Sequence, residues 1–464
     1  MSLRFFNTLG RKVEKFVPIE MPKVGLYTCG PTVYNYAHIG NYKSYIFEDV
    51  LRRTLDFLGY QVKHVMNITD VGHLVSDEDE GEDKMEIGAR RENKTPWEIA
   101  EFYEKAFFND TNELNILPPH IKCKATDHVQ DMIALIARLE SRGLAYTSGG
   151  NVYFDVEKFR NTYNYSKLDT ASYETGKRIE EDQQKKSPCD FVLWFTKSKF
   201  EGHLMNWDSP WGYGYPGWHI ECSAMSMKYL GEQFDIHCGG VDHIPIHHSN
   251  EIAQSEGATG KIPWVKYWLH SEFLITTADK MSKSSGEFLT LSKLKENGFN
   301  PLSFRYLCLT AHYRSQLQYN DSAIENAEQS YNRLLNIAMS LKEESTNIGK
   351  ADEEYLFQFR SALEDDLNTP QALAIVWGML RDKGLTNEVK WAGLIEFDKV
   401  LGFGFAIMEK DKELLPLEIE NLIKERELSR KNKDYSRADE IRNILLVKGI
   451  TLQDTPQGVK WEKL

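Results

Sequence analysis

The sequence predicts an α/β protein built on a parallel sheet that an inserted domain splits, followed by a helical domain and a small C-terminal α+β domain. Three observations support this prediction. Residues 23–70 read as strand, loop, helix and strand, which is the βαβ unit of parallel sheets. Strand-like runs resume after a polar stretch at 171–188, and helical patterns dominate beyond Thr310. The length of 464 residues suits about two to four domains.

The first unit begins with KVGLYTCG, a short apolar strand that ends at Gly30. The loop PTVYNYA follows. From about His38 a helix is predicted, because apolar residues recur at helical spacing at Ile46, Val50, Leu51, Leu55 and Leu58. QVKHVMNITD reads as the second strand. Since ligands of parallel sheets bind where the strands end, the loop after the first strand is a candidate site.

The later elements follow from the same patterns. A helix is predicted from about Thr95 to Leu117, and the insertion covers roughly 118–200. DFVLWF and WVKYWLHSEFLIT are typical of strands. Beyond Thr310 the segments SAIENAEQSYNRLLNIAMSLKEE and EEYLFQFRSALEDDLNTPQALAIVWGMLRDKG read as amphipathic helices. The tail starts near Leu417 with another helix and closes on ITLQDTPQGVKWEKL, which predicts a β-turn-β unit.

Composition and charge exclude several classes of protein. The net charge of −13 argues against indiscriminate binding of nucleic acid, although a local basic surface could still bind one RNA. No run of about 18 apolar residues is present, so we expect no transmembrane helix and no membrane partner. The first residues, MSLRFFNTLGRKVEK, lack the apolar stretch of a secretory signal, and we expect a cytoplasmic protein.

The stretch GGVDHIPIHHSNE, residues 239–251, is a candidate metal site. His247 and Glu251 are four residues apart, so a helix places them on one face, where they can share a metal ion. The pattern is not the HExxH of zinc proteases, and activation of a hydrolytic water is therefore not indicated.

Cysteines could complete such a site. The six cysteines are scattered through a long chain, which argues against a disulfide framework and leaves buried thiols or metal ligands. Cys29 ends the first strand and Cys222 lies in HIECSAM, and together with an imidazole and a carboxylate they form a donor set suited to zinc. Cys238 and His243 are equally near in sequence, so the residues alone leave the set of ligands open.

Two loops have the character of phosphate-binding segments. CGPTVYNYAHIGN is neither a Walker A loop nor a GxGxxG loop, but it leads into a helix N-terminus, which favours phosphate. His38 could donate to a phosphoryl oxygen there, and Gly40 would let a nucleotide approach the backbone. KMSKS places Lys280 and Lys283 three residues apart, flanked by serines and a glycine, which suits a mobile loop that closes over a polyphosphate.

The HIGN loop and the distant KMSKS resemble the paired motifs of class I aminoacyl-tRNA synthetases. YTCGPTVYNYAHIGN, NITDVGHL, PGWHIECSAM, HHSNE, KMSKSSG, DDLNTPQAL and DTPQGVKW resemble the cysteinyl-tRNA synthetase family, in the order of that family and along nearly the whole chain. The resemblance implies a Rossmann-like catalytic domain and a cysteine–tRNA ligase. Such an enzyme activates L-cysteine with ATP to cysteinyl-adenylate and transfers cysteine to the 3′ end of tRNA(Cys).

The resemblance also implies roles for individual residues. The zinc ligands of the family, one ion per chain, fall on Cys29, Cys222, His247 and Glu251. The residues that bind ATP with Mg²⁺ in the family correspond to His38, Gly40, Asn41, Gly239, Asp242, Lys280 and Lys283. Of these, His38 and the two lysines are expected to be catalytic. Thr69, Trp218 and His237 are expected to line the cysteine pocket. His243 and His248 are expected to have structural roles beside the ligands.

This chain departs from the family pattern at Asn41, Tyr215 and Ser249, where the family often has histidine, arginine and glutamate. Cys238 stands where the family usually has a small residue, and Cys189, at a position where an aliphatic residue is expected, is interpreted as a packing residue.

The expected domains are the catalytic domain (1–117 and 201–265), the insertion (118–200), the KMSKS-bearing segment (266–310), the helical bundle (311–410) and an anticodon-recognition domain (411–464). We expect a monomer. The alternatives are a cysteine-activating ligase with a small amine acceptor, and a non-enzymatic zinc-containing RNA-binding protein.

Overall fold

The computed structural model describes residues 2–72, 84–165, 167–168, 183–197, 204–276, 289–345, 349–408, 417–455 and 458–463. The chain forms two compact units, Met1–Ala406 and Ile407–Leu464. None of the described helices is both long enough and apolar enough to cross a membrane.

The strands of the first unit are β1 (Arg4–Asn7), β2 (Lys12–Lys15), β3 (Lys23–Thr28), β4 (Gln61–Ile68), β5 (Ile121–Lys124), β6 (Ala145–Ser148), β7 (Asn151–Phe154), β8 (Phe191–Phe195), β9 (Tyr215–Pro216), β10 (Phe234–Gly240), β11 (Val265–Ser271), β12 (Leu274–Thr276) and β13 (Leu317–Tyr319). Its helices are α1 (Ile39–Phe57), α2 (Lys84–Glu92), α3 (Pro96–Glu113), α4 (Val129–Ser141), α5 (Val156–Arg160), α6 (Trp218–Leu230), α7 (Ser249–Thr259), α8 (Leu291–Glu296), α9 (Pro301–Leu309), α10 (Asp321–Glu344), α11 (Glu353–Glu364), α12 (Thr369–Arg381) and α13 (Asn387–Leu401). Short turns of 3₁₀-helix cover Thr126–His128 and Val241–His243, and a π-helical turn covers Ile244–His248.

A parallel sheet in the order β11-β10-β3-β4-β5 forms the centre of the first unit. Helix α1 connects β3 to β4, and the two strands pair in parallel, with Leu26 opposite His64. Strand β10 pairs with the other side of β3, with Ile236 opposite Leu26. Strand β10 is buried along almost its whole length, as expected for a parallel strand that is covered on both faces. The predicted βαβ unit and parallel sheet are confirmed.

The parallel sheet extends into the range assigned to the insertion, because β5 pairs with β4, with Val65 opposite Ile121. The run IKCK is only four residues long and lacks a continuous apolar pattern, so its sequence did not identify it as a sheet strand.

The inserted layer is an antiparallel sheet in the order β6-β7-β8-β9. Strand β9 lies after residue 200 and has only two residues, which is too short to predict from a pattern. Its Tyr215 pairs with Phe195 of β8, and the two rings stack at 4.9 Å.

The region after the sheet is helical, as predicted, and a buried arginine connects it to the sheet layer. Arg305 on α9 is fully buried and forms an ion pair with Asp49 of α1 at 2.6 Å. It also donates to the carbonyl oxygens of Leu401, at the end of α13, and Leu114, after α3. One side chain therefore connects four helices through groups that have no access to water.

The second unit contains α14 (Leu417–Lys431), α15 (Tyr435–Val447), β14 (Ile450–Thr455) and β15 (Gly458–Lys463). The two strands pair in antiparallel fashion, with Ile450 opposite Lys463, as expected of the predicted β-turn-β. Its apolar core comprises Ile419, Ile441, Leu445, Ile450 and Leu452. The α+β character predicted for the tail is therefore present.

Candidate metal and substrate site

Four buried side chains from distant parts of the chain meet beside the carboxyl ends of β3 and β10. Cys29 directly follows β3 and Cys222 lies on α6. His247 lies in the π-helical turn, and Glu251 lies in the first turn of α7. Their donor atoms all lie within 4.8 Å of one another. We call these four residues the donor cluster.

The π-helical turn holds His247 and Glu251 in register at spacing i, i+4. Pro245 lies near its start, and the Ser249 hydroxyl donates to the carbonyl oxygen of Ile244 at 2.8 Å, so the widened turn is closed by a side chain. Single π-helical turns of this kind are frequent at functional sites. Ser249, one of the departures from the family pattern, thus has a local structural role.

The donor cluster fits a metal ion. Glu251 Oε1 lies 3.0 Å from His247 Nε2, yet it is buried and no described group forms a hydrogen bond of good geometry with it. Glu251 Oε1 and His247 Nε2 are therefore close enough to bind one cation together. Two sulfurs, one imidazole nitrogen and one carboxylate oxygen form a set that zinc accepts. Among the described residues, Cys29, His237, His248 and Glu251 also bring their donor atoms within 4.8 Å.

The electrostatics of the donor cluster favour a positive charge. The Cys29 thiol donates to the Cys222 sulfur and lowers the pKa of Cys222 to about 6, against the effect of burial. Burial alone would lower the pKa of His247, but Glu251 and Cys222 outweigh it and raise the pKa to about 10. Burial would raise the pKa of Glu251, whereas His237 and His247 lower it to about 2. Two anionic groups therefore surround a cation away from water.

Neighbouring side chains orient the ligands. His237 Nε2 lies 3.0 Å from Glu251 Oε2, and its ring stacks on Trp268 at 4.5 Å. The ring of Trp218, at the start of α6, stacks on His247 at 4.1 Å. Such contacts fix ring orientation and keep water out. Of the residues assigned to the cysteine pocket, His237 and Trp218 thus contact the donor cluster directly.

Thr69, the third residue assigned to the cysteine pocket, lies just after β4 and donates to Glu221 Oε2 at 3.0 Å. Glu221 is fully buried, and burial raises its pKa well above the usual range. Its other oxygen has no hydrogen-bond partner among the described groups. Glu221 was not predicted from the sequence, although its position next to Cys222 in WHIECSAM could have indicated it.

His219 and His270 are also buried at this site and were not predicted. His219 Nδ1 lies 3.0 Å from His247 Nδ1, and His270 Nε2 lies 2.8 Å from His248 Nδ1. His219 is three residues before Cys222, which places it on the same face of α6. His270 ends β11, and only the pairing of β11 with β10 brings it here, so no local pattern could indicate it.

The HIGN loop forms the start of α1. His38 is the N-cap, and Asn41 N–H donates to His38 Nδ1 at 3.3 Å. In return Asn41 Oδ1 accepts from His38 N–H at 3.1 Å, which completes a capping box. Burial lowers the pKa of His38, and the carboxylate of Asp242 acts against this. A neutral imidazole and a helix N-terminus thus face the exposed Asp242. Asn41 therefore has a structural role in the cap of α1.

Gly40 of the HIGN loop and Gly239 of β10 lie against histidine rings. A Cβ atom on Gly40 would lie 2.9 Å from His38 Nδ1. A Cβ atom on Gly239 would lie 2.7 Å from His243 Nδ1 and from His248 Cε1. The lack of a side chain at Gly239 therefore allows two imidazoles to pack over the end of β10. Lys280 and Lys283 lie outside the described residues.

The remaining cysteines named in the sequence are placed as follows. Cys238 is fully buried within β10, and its carbonyl oxygen accepts from Cys29 N–H at 3.2 Å. Cys189 packs against the apolar core that surrounds β8. Neither belongs to the groups of close donor atoms among the described residues.

Comparison with known proteins identifies a family with this sequence and this architecture. Residues 15–329 match the family described as "tRNA synthetases class I (C) catalytic domain", and residues 358–405 match the DALR domain. The chain is 49% identical to a protein named cysteine–tRNA ligase from Treponema denticola, over 100% of both chains. It is 46% identical to cysteine–tRNA ligase 1 from Burkholderia lata, over 99% of this chain and 96% of that one. A methionyl-tRNA synthetase structure from Mycobacterium tuberculosis shares the fold, with a TM-score of 0.57 at 16% identity over 82% of this chain and 90% of that one.

Proposed function

The chain belongs to the cysteine–tRNA ligase family of class I aminoacyl-tRNA synthetases, and we propose that its donor cluster binds the zinc ion that recognises the thiol of L-cysteine. The enzyme activates L-cysteine with ATP to cysteinyl-adenylate and transfers cysteine to the 3′ end of tRNA(Cys). The single observation that supports the zinc proposal is the convergence of four buried S, S, N and O donor atoms within 4.8 Å.

The substrate explains the need for a metal. Cysteine and serine differ by sulfur against oxygen, and a pocket that relies on shape separates such near-isosteres by only ~10²-fold. A bound zinc ion supplies a soft, Lewis-acidic centre that prefers a thiolate ligand over a hydroxyl. Trp218 and His237 pack against the donor cluster and would line the space for the cysteine side chain, while Thr69 would contact the same substrate from the end of β4.

The ATP-binding residues are proposed on the sequence motifs together with the geometry of α1. His38 at the helix N-terminus would donate to a phosphoryl oxygen, and Asn41 holds its ring through the capping box. Gly40 would let a nucleotide approach the backbone, and Gly239 with the exposed Asp242 would bind the ribose. From KMSKS, Lys280 and Lys283 would stabilise the pyrophosphate that leaves with Mg²⁺, where positioning and charge neutralisation supply the catalysis.

The partners and organisation follow from the family. ATP, L-cysteine and tRNA(Cys) are the substrates. We propose that residues 411–464 read the anticodon, that the enzyme acts as a monomer and that it is cytoplasmic. The division into five domains remains a prediction.

The zinc proposal is tested by metal analysis and by cobalt substitution. We expect about one zinc ion per chain. In the Co²⁺-substituted protein, L-cysteine should change the sulfur-to-cobalt absorption, whereas L-serine should not, because only a thiolate binds as an additional soft ligand. Cysteine-dependent ATP–pyrophosphate exchange is measured in parallel, with and without chelator and with serine as competitor.

Matched variants complete the test. His247→Ala should lose both the metal and the exchange activity. Cys308→Ser removes a buried thiol on α9, far along the chain from the donor cluster, and should keep both. Metal-free protein that still prefers cysteine over serine as strongly as the loaded enzyme would overturn the zinc proposal.

A further inference from the structure

A chain of hydrogen bonds runs from the N-terminal hairpin to a sulfur of the donor cluster. Thr8 Oγ1 lies 2.8 Å from His270 Nδ1, and His270 Nε2 lies 2.8 Å from His248 Nδ1. His248 Nε2 lies 3.4 Å from Cys29 Sγ, which is within the range of a hydrogen bond to sulfur. This series of hydrogen bonds is shielded from water, since the relative exposure of each of its four residues is 8% or less.

If Cys29 is a metal-bound thiolate, these hydrogen bonds have only one set of donor and acceptor directions that satisfies every group. A thiolate can only accept, so His248 Nε2 carries the proton that is donated to it. In a neutral ring His248 Nδ1 is then the acceptor, and His270 Nε2 must carry the next proton. His270 Nδ1 therefore accepts, and the Thr8 hydroxyl is the donor that ends the chain.

The surrounding structure holds this chain in place. Thr8 lies in the turn between β1 and β2, and its N–H donates to the carbonyl oxygen of Trp268 at 2.9 Å. The ring of Trp268 lies 4.9 Å from that of His248. On the other side, the lack of a Cβ atom at Gly239 leaves the space that the His248 ring occupies. The His248 ring is therefore packed between the Trp268 ring and the backbone at Gly239.

We propose that Thr8 and His270 are positioning residues that fix the tautomer of His248, so that His248 donates to the Cys29 thiolate. This inference rests on the proposed metal role of the donor cluster. A hydrogen bond to a ligating sulfur withdraws electron density from it, and loss of such a partner typically changes metal affinity by 10- to 100-fold. Thr8 lies in the N-terminal hairpin, outside the motifs that identified the site, and it would act on the metal through two imidazoles.

A competing arrangement makes the opposite prediction. If the metal instead used Cys29, His237, His248 and Glu251, His248 Nε2 would bind the ion and could not donate. His248 Nδ1 would then carry the proton, His270 Nε2 would accept it, and the Thr8 hydroxyl would be an acceptor. The tautomer of His270 therefore distinguishes the two arrangements.

The first experiment reads the tautomers in the zinc-loaded wild-type protein. The protein is labelled with ¹⁵N-histidine, and long-range ¹H–¹⁵N correlations are recorded, with the His270 signals assigned through His270→Gln. Protons on Nε2 of both His248 and His270 support the proposal. A proton on Nδ1 of His270 overturns it.

The second experiment measures the rate of zinc release to a chelator in Thr8→Val, which keeps the size of the side chain and removes the donor. Release should be about 10-fold faster, with an increase of similar size in the KM for cysteine and little change in kcat. Thr8→Ser should restore both values. Unchanged release and KM in a folded Thr8→Val protein overturn the proposal, and if this variant does not fold, the tautomers of the wild-type protein decide.

The matched control is Thr111→Val, which removes a buried hydroxyl that donates to the Phe108 carbonyl oxygen within α3. Its zinc release and KM should equal those of the wild type. Failure of the zinc proposal would be recognised separately, because the wild-type protein would then lack bound zinc and the cobalt-dependent response to cysteine.

Discussion

At the scale of single residues, Gly239 links the sheet to the chemistry of the site. It lies at the end of β10, in register with His270 of β11, and the rings of His243 and His248 cover its Cα atom. The position therefore needs a residue without a side chain, because imidazole rings occupy the space. A nucleotide that approached the same backbone would meet these rings as part of its surface.

Gly239→Ala should impair the proposed metal site. The new Cβ atom would lie 2.7 Å from His243 Nδ1 and from His248 Cε1, so both rings must shift, and we expect the contact of His248 with Cys29 to be disturbed. We expect a loss of about 1–3 kcal/mol in the free energy of unfolding and at least ~10-fold faster zinc release. Urea denaturation and chelator kinetics measure the two effects.

The control is Gly378→Ala on α12, where the nearest side-chain atom, from Tyr355, would be 3.8 Å away. That substitution should leave zinc release at the wild-type rate and should not lower the free energy of unfolding, since alanine is favoured over glycine within a helix by about 0.5–1 kcal/mol. Wild-type zinc release in Gly239→Ala would contradict the packing argument.

At the scale of elements, the ion pair of Asp49 and Arg305 joins α1 to the helical region. Asp49 also accepts from Arg53 at 2.7 Å and from Leu117 N–H at 2.9 Å. Burial would raise the pKa of Asp49, but Arg305 and Arg53 outweigh it and hold the pKa below its ordinary 3.8. The folded protein thus stabilises the carboxylate, and this contribution is present at neutral pH.

Asp49→Asn should lower the free energy of unfolding by about 3 kcal/mol at pH 7, because it leaves a buried guanidinium without its counter-charge. The difference from the wild type should stay constant down to about pH 4. It should then narrow as the pH falls further, because the unfolded wild-type protein takes up the proton near 3.8 and the folded protein does so at a lower pH. Urea denaturation across this pH range provides the measurement.

Glu353→Gln serves as the comparison, since its ion pair with Lys350 is exposed to solvent. This ion pair should make no measurable contribution to the free energy of unfolding. A difference between Asp49→Asn and the wild type that does not change between pH 7 and pH 3 would show that the carboxylate charge is not the cause.

At the scale of the whole molecule, the division between Ala406 and Ile407 separates all described site residues from the tail. The second unit has its own core of apolar side chains. The residues proposed for activation and those proposed to read the anticodon therefore belong to different compact units, and each proposal can be tested without the other.

Truncation after Ala406 should keep cysteine-dependent ATP–pyrophosphate exchange within about twofold of the full chain, because the donor cluster and the HIGN loop remain. Charging of full-length tRNA(Cys) should fall by at least ~10-fold, equivalent to ~1.4 kcal/mol of lost RNA contact. The full chain and the truncated chain should charge an acceptor-stem minihelix equally well, since that RNA has no anticodon. Undiminished charging of the full tRNA would refute the role proposed for residues 411–464.

The sequence predicted what depends on local spacing. The helix from His38 and the pairing of His247 with Glu251 follow from periodicity. Spacing left Cys238 and His243 as alternative ligands, and only the family resemblance selected Cys29 and Cys222, because sheet topology decides which distant segments meet.

Non-local contacts left no sequence pattern at other positions. His270 and Thr8 reach the site only through the packing of β11 and the N-terminal hairpin. Strand β5 was missed because four residues give too little pattern, and the four-helix contact of Arg305 has no local indication.

The pairing of β3 with β10 has a consequence for synthesis of the chain on the ribosome. The strands are neighbours in the sheet, yet Cys29 leaves the ribosome more than two hundred residues before Glu251. At ~5–20 residues per second, the earliest thiol waits on the order of ten seconds or more for its partners. A metal ion that needs all four residues of the donor cluster could therefore bind only after the nascent chain has passed Glu251, and until then Cys29 lacks these partners.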